Sequence, residues 1–362
     1  MLCMILVSCT GQKTGKENDN NDKIAIEVGE IKFPPQDVLQ LKSYYLSSSV
    51  HVDSIDYLIG YNYRLHSLDC MNLKSKSVTQ IVLPGDGPDA IVRLSGIYAQ
   101  SLDSVWISDE SERAFLIDSV GTIKRMIDLK KYLEDQEQLL INTNYAMFTS
   151  HLFYNASRHS LMFLVKHTPS NTFIVKEVFI DEVGKMATYQ LSSSKVVPDM
   201  SKGYAYINFP NVNFVGENIV YNYPVESSIY MLDIRTNERK YILADSHYTS
   251  NIIEKCTTSG DYATLEKHWL ENSHFYDIMY LPKYKIYARL HADKVDFDEK
   301  KGMEKLINER DLYLMLFDEN MEKIGETKLS NCRYSPFTSW NATYGGIALF
   351  VDNVLDEKNN TD

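Results

Sequence analysis

The sequence carries too little positive charge to hold nucleic acid. Lys and Arg number 37 against 49 Asp and Glu, a formal net charge of -12 at pH 7, and phosphate binding needs a basic face. Cysteine is sparse: five residues, none in a C-x-x-C spacing, so no disulfide framework and no Cys-based zinc site is readable. Apolar runs long enough to span a bilayer are missing. So are G-x-S-x-G, H-E-x-x-H, the Walker loop, G-x-G-x-x-G and the EF-hand loop. No reaction, metal or cofactor is assigned, and the chain is read as a binding protein before an enzyme.

What is present is ordinary globular material with an unusual aromatic balance. The 362 residues are 44% hydrophobic and 24% charged, enough for a large core. Tyr outnumbers Phe and Trp, at 25 against 14 and 3. Tyr suits half-buried strand faces, where its ring packs and its hydroxyl stays wet, so the balance points to β structure.

The amino terminus reads as an export signal. Met1 to Val7 is apolar and runs into Leu6-Val7-Ser8-Cys9, which is similar to the lipobox of bacterial lipoprotein signal peptides. That resemblance implies cleavage before Cys9 and diacylation of its thiol, with the small Ser8 that such sites require. Thr10 to Lys23 has no apolar residue large enough to bury and reads as a flexible tether. The expected organisation is a signal at 1–8, a tether at 9–23, a β domain over 24–354 and a disordered tail at 355–362.

One element recurs: an apolar run ending in Asp, a polar turn, then an alternating run. It ends on Asp69, Asp118, Asp181, Asp233 and Asp318. Asp at the first turn position bonds backbone amides two residues on, and Gly or Asn supplies a positive φ. Each copy is expected to be a hairpin. A further strand precedes most copies, as at Tyr57–Tyr61, Ser104–Ile107, Leu161–Val165 and Asn218–Tyr221. The unit is most of a four-stranded blade, and its spacing of roughly 50 to 60 residues is near the propeller range.

Two strands at Phe337–Trp340 and Gly346–Val351 lack a hairpin after them, and Lys23–Phe33 lacks a partner nearby. The two ends are expected to share a sixth blade, closing the ring and hiding the sheet edges. The expectation is therefore an all-β, six-bladed propeller, with seven blades as the alternative. Lys130–Leu140 and Asp261–Asn272 read as short helices, and Asp293–Arg310 as a charged insertion.

Three stretches carry a family resemblance. They are Val82-Leu83-Pro84-Gly85-Asp86-Gly87-Pro88-Asp89, the run from Tyr276-Asp277 through Leu281-Pro282 to Tyr287-Ala288-Arg289, and Phe317-Asp318-Glu319-Asn320 with Lys323-Ile324-Gly325-Glu326. With the lipobox, they resemble a family of Bacteroidetes lipoproteins known as domain of unknown function 4221. The resemblance covers nearly all the chain after the tether. It implies a six-bladed propeller on a lipid anchor and assigns no activity. Leu281 stands where the family pattern has Asp.

The binding candidates are Gly85, Asp86, Gly87, Pro88 and Asp89, together with Arg64, Tyr223 and Arg289. The Gly85–Asp89 loop either places two carboxylates over the channel mouth or makes a tight connection between blades. Trp340 and Arg289 are read first as packing residues, with the channel or a blade interface as the other reading. Asp293, Asp296, Asp298 and Glu299 lack the Gly and the bidentate Glu of a calcium loop. His247, His268 and His274 lack paired metal-ligand spacing.

The functional expectation is an outer-membrane lipoprotein facing the periplasm or the cell surface. It would touch the membrane through Cys9 and bind a protein, peptide or glycan, without nucleic acid. The alternatives are a glycan-active lyase or hydrolase with its site in the central funnel, and a passive structural lipoprotein. Propellers host enzymes, so the fold does not decide. Replacing Cys9 tests the anchor: Cys9→Ala should release the protein from membranes or block its processing. Membrane fractionation with labelled palmitate reads the outcome, and continued labelling of the variant refutes the anchor.

Overall fold

The computed structural model describes residues 2–8, 25–34, 40–141, 148–196, 204, 208–256, 261–353 and 355. The chain opens with β1 (Leu2–Ser8) and β2 (Ala25–Ile31). The first blade follows, a meander of β3 (Ser47–Val52), β4 (Ile55–Asn62), β5 (Ser67–Asn72) and β6 (Val78–Val82). The second holds β7 (Leu94–Ser101), β8 (Ser104–Asp109), β9 (Arg113–Ile117) and β10 (Ile123–Asp128). The third holds β11 (Glu137–Leu139), β12 (Phe153–Asn155), β13 (Ser160–His167), β14 (Thr172–Phe179) and β15 (Met186–Gln190). The fourth is β16 (Asn211–Val215), β17 (Asn218–Asn222), β18 (Ile229–Asp233) and β19 (Arg239–Ile242).

Helix α1 (Tyr262–Leu270) leads into the fifth blade, β20 (His274–Leu281), β21 (Ile286–Ala292), β22 (Leu312–Phe317) and β23 (Lys323–Lys328), with α2 (Met303–Glu309) inserted before β22. The last strands are β24 (Trp340–Ala342) and β25 (Gly346–Phe350). The architecture is an all-β, propeller-like fold with five blades contiguous in the chain and few helices. A sixth sheet combines both ends in the order β2-β1-β25-β24. In its strand pairing Ala25–Ile31 thus meets Leu2–Ser8, which in turn pairs with β25 from Leu2↔Phe350 to Leu6↔Gly346.

The sheets are held by apolar clusters between them. Ile59, Leu68 and Ile81 of the first blade pack with Ile97, Val105 and Phe115 of the second. The shared sheet packs Ile347 and Leu349 toward Leu290 and Leu316 of the fifth blade, and Ala348 and Phe350 toward Tyr44, Leu58 and Met71 of the first. Alternation along β25 sends successive side chains to opposite sheet faces, and each fully buried Leu, Ile or Phe contributes roughly 1.5 to 3 kcal/mol. Gly121 shows how close the blades come: it has φ +84, and a Cβ there would meet Val82 O at 2.2 Å. Only glycine fits both conditions.

Three of the five repeated Asp residues serve their hairpins as expected. Asp118 Oδ1 accepts from Val120 N and Thr122 N, Asp233 Oδ1 from Arg235 N and Thr236 N, and Asp318 Oδ1 from Asn320 N and Glu322 N. Asp69 and Asp181 do not. Strand β5 runs on past Asp69 to Asn72, whose Oδ1 accepts from Lys74 N and Ser75 N and makes the turn. Asp69 lies inside the blade, where it accepts from Tyr44 Oη at 2.5 Å, Gln80 Nε2 at 2.8 Å and Asn62 Nδ2 at 3.0 Å. Asp181 reaches to the second blade and pairs with Arg125 at 3.0 Å.

The expected helix over Lys130–Leu140 is a single 3₁₀ turn at Leu129–Tyr132, followed by β11. The segment's Lys176 partner, Glu137, is placed by strand pairing with β13, which overrides the local helical preference. The helix expected over Asp261–Asn272 is present as α1.

Two substitutions separate the buried Asp from the turn Asp. Asp69→Ala strands the Tyr44, Asn62 and Gln80 donors in the core and should cost about 3 kcal/mol or more. Asp118→Ala exposes its donors to water and should cost distinctly less. Urea unfolding measures both, and equal costs would return Asp69 to the turn role.

Candidate functional site

The innermost strands converge on a cavity of about 390 Å³. Ser47–His51 line it from β3, Ile97 and Tyr98 from β7, and Phe153 from β12, with His151 and Leu152 just before that strand. Asn213–Val215 come from β16, Asp277, Met279 and Tyr280 from β20, and Trp340–Ala342 from β24. Inner strands place alternate side chains toward the axis, so each contributes few groups and the site is assembled from six sheets.

One polar relay crosses this cavity. His151 Nε2 lies 3.0 Å from Asp277 Oδ2, and Trp340 Nε1 donates to Asp277 Oδ1 at 2.7 Å. The Asp277 side chain is 2% exposed and that of His151 is 22% exposed, so the imidazole is the member that meets solvent. Asn341 Nδ2 donates to Ser47 Oγ at 2.6 Å, and the Ser47 and Ser339 hydroxyls are bonded to each other. At the rim His51 Nδ1 meets Asp56 Oδ1 at 2.7 Å, and its ring stacks on Tyr344 with centroids 4.2 Å apart. Asp56 also accepts from Tyr344 N and Gly345 N at 3.1 Å, clasping the β24–β25 turn to the first blade. Tyr98, Phe153 and Phe214 form an aromatic wall, with centroids 5.1 and 4.9 Å apart.

Trp340 packs in the core beside the fifth blade and also lines the cavity. His151 and Asp277 had been given no role in the sequence. Asp277 stood in the family-like Tyr276–Arg289 stretch, and a bulge between Phe275 and Ile278 aims it. His151 carried no pattern of its own.

The candidates read from the sequence lie elsewhere. Gly85 lines a second cavity of about 730 Å³, with Tyr45, Tyr61, Tyr63, His66 and Arg93. Asp86, Gly87, Pro88 and Asp89 are exposed in a tight inter-blade connection. Gly87 takes φ +92, and Ile91 N donates to Pro84 O at 2.8 Å to close the loop. Arg64 is exposed in the turn capped by Asn62 Oδ1. Tyr223 is buried and donates from Oη to Ser192 O at 2.8 Å.

Arg289 is fully buried between the Phe275 and Phe317 rings, and it donates to Ser227 O at 2.6 Å and Ala244 O at 2.9 Å. Burial lowers its pKa, against the pull of the Glu326, Asp245 and Glu226 carboxylates. It ties the fourth blade to the fifth. Among the described residues, no group of three or more His, Cys, Asp and Glu is arranged to hold a metal ion. His268 Nε2 meets Glu254 O at 2.6 Å, while His274 is buried and accepts from Trp269 Nε1 at 3.3 Å.

The family described as domain of unknown function DUF4221 matches residues 17–328. This chain belongs to that family. A crystal structure of a DUF4221 member from Bacteroides vulgatus is similar over 87% of this chain and 90% of its own, at 14% identity and a TM-score of 0.70. A Bacteroides fragilis protein whose name proposes export is similar over 82% of this chain and 74% of its own, at 13% identity and a TM-score of 0.50. At such identities the likeness speaks for the fold. No curated protein matches the chain.

Glu326 gives the DUF4221 chain a measurable acid dependence. Its carboxylate accepts from Ser246 Oγ at 2.6 Å, and from His247 N and Lys323 Nζ at 3.0 Å. Burial alone would raise its pKa, but these bonds and His291 hold it down to about 2. An acid with a lowered folded pKa stabilises fully above its unfolded value, about 4.3, and loses that contribution as pH falls through the folded value. Denaturant midpoints should therefore fall from about pH 4.3 downward. The Glu326→Gln variant should lack that part of the slope; an unchanged slope refutes the assignment.

Proposed function

We propose that this DUF4221 chain is a lipid-anchored binding protein of the bacterial cell envelope, with its ligand seated on the axis of a six-bladed ring. The observation that carries the reading is the 390 Å³ cavity lined by strands of all six sheets. Its volume suits a small ligand. Its lining pairs an aromatic wall with hydroxyl, amide and imidazole groups, which fits a neutral, hydroxyl- or amide-rich molecule such as a saccharide or short peptide. The apolar clusters on both faces of the shared sheet support closure of the ring.

Support for the anchor is the Leu6–Cys9 lipobox and the name of the B. fragilis structure. Among the described residues no helix is long and apolar enough to cross a membrane, which fits attachment through a lipid. Cys9 itself lies outside the described residues. Cleavage before Cys9 would remove β1 and leave β25 to pair with β2 or to form the edge of a thinner blade.

The His151–Asp277 contact favours a second reading, a glycan-active enzyme. Asp277, fixed by Trp340, would hold the imidazole so that His151 serves as a general base. Glycan turnover abolished by His151→Gln would establish it.

The binding reading is tested by placing a photo-crosslinking residue at Asn341 in the anchored protein and irradiating intact cells. A discrete adduct is expected at Asn341, absent when the same residue stands at the exposed Val183. No adduct at Asn341, or equal labelling at both positions, overturns the reading.

A further inference from the structure

The second cavity stands apart from the channel and shares no lining residue with it. It opens between the first and second blades and holds about 730 Å³, the size of a short oligosaccharide or peptide. Its walls are the β4–β5 turn and the connection from β6 to β7.

Two tyrosines flank it. Tyr45 is 52% exposed and Tyr63 50% exposed, with ring centroids 6.4 Å apart and planes inclined at 44°. Two neighbouring exposed rings offer flat apolar faces that a ligand can pack on, with their hydroxyls left wet. Behind them stands His66, whose Nδ1 meets Tyr61 Oη at 3.0 Å. Its other ring nitrogen, Nε2, is closed off from solvent and has no hydrogen-bond partner among the described residues, so His66 serves as the back wall of the cavity. Arg93 completes the lining. Its guanidinium is 74% exposed and touches Glu110 through Nε at 3.5 Å, a loose surface pair worth little.

We propose that this cavity binds a saccharide that carries a carboxylate, a uronosyl sugar. Sugar rings present apolar C–H faces that pack on the Tyr45 and Tyr63 rings. The carboxylate accepts a paired hydrogen bond from Arg93, a geometry suited to guanidinium. A peptide fits less well, because it would need free backbone groups to pair with. Part of the turn backbone here is already committed: Leu83 N donates to His66 O and Ile91 N to Pro84 O.

Calorimetric titration of the full chain with digalacturonate, and separately with a neutral disaccharide and an acidic tripeptide, tests the assignment. Digalacturonate should bind, the neutral sugar about tenfold more weakly, and Tyr63→Ala or Arg93→Gln should each cost about tenfold. Tyr63→Phe should bind as the native chain does, since the ring face carries the contact. Both altered residues are exposed, and an unchanged melting temperature shows that the variants stay folded. The channel substitution Asn341→Ala should leave digalacturonate binding intact, so this site stands or falls separately from the axial one. Failure to bind digalacturonate, equal affinity for the neutral sugar, preference for the tripeptide, or indifference to Tyr63→Ala overturns the proposal.

Discussion

Every blade of this protein is a sheet with apolar side chains on both faces, and such a sheet must be covered twice. That constraint sets the rest. Ile59 and Phe115 meet across the first and second blades, and Leu316 and Leu349 meet across the fifth blade and the shared sheet. Radial packing of twisted sheets leaves their inner strands side by side around an axis. The cavity on that axis is thus a by-product of how the faces are covered, and its lining is free to vary without loss of the fold.

Apolar faces alone would let neighbouring blades slide. Buried polar groups fix their positions. Asp69 gathers Tyr44, Asn62 and Gln80 within the first blade, and Glu177 gathers Arg158, Ser160 and Tyr189 within the third. Arg289 bonds two carbonyls of the fourth blade from its seat in the fifth. Directional bonds in a dry interior tolerate little displacement, so these clusters set register where oily contact cannot. This explains why Asp277 and Arg289, in one family-like stretch, turn out to be inside.

The strand content and most turns were legible because alternation and turn chemistry are local. Asp118, Asp233 and Asp318 sit where their neighbours predict. Asp69 had the same local look, but β5 continues through it, and only its distant partner Tyr44 distinguishes it. The axial site was less legible still. His151 and Asp277 stand 126 positions apart in sequence, and nothing near either residue encodes their meeting. Trp340 was visible because a large indole next to a terminal strand must find a wall. The loop at Gly85–Asp89 was visible as an unusual turn, but its acids point to water while its neighbours Tyr63, His66 and Arg93 make the cavity.

The order β2-β1-β25-β24 has a consequence for the history of the molecule. On the proposed reading of a lipid anchor at Cys9, the segment just before it cannot be both an interior strand and a signal given up on export. If it docks between Ala25–Ile31 and Gly346–Phe350 before a peptidase reaches it, a finished sheet shields the scissile bond. If it is cut first, the last sheet must be rebuilt from what remains. On that reading, completion of the shared sheet and membrane attachment would compete for the same seven residues, Leu2 to Ser8, and the slower event would lose them. A cell that needs the anchored form must keep the two ends of the chain apart until processing is done.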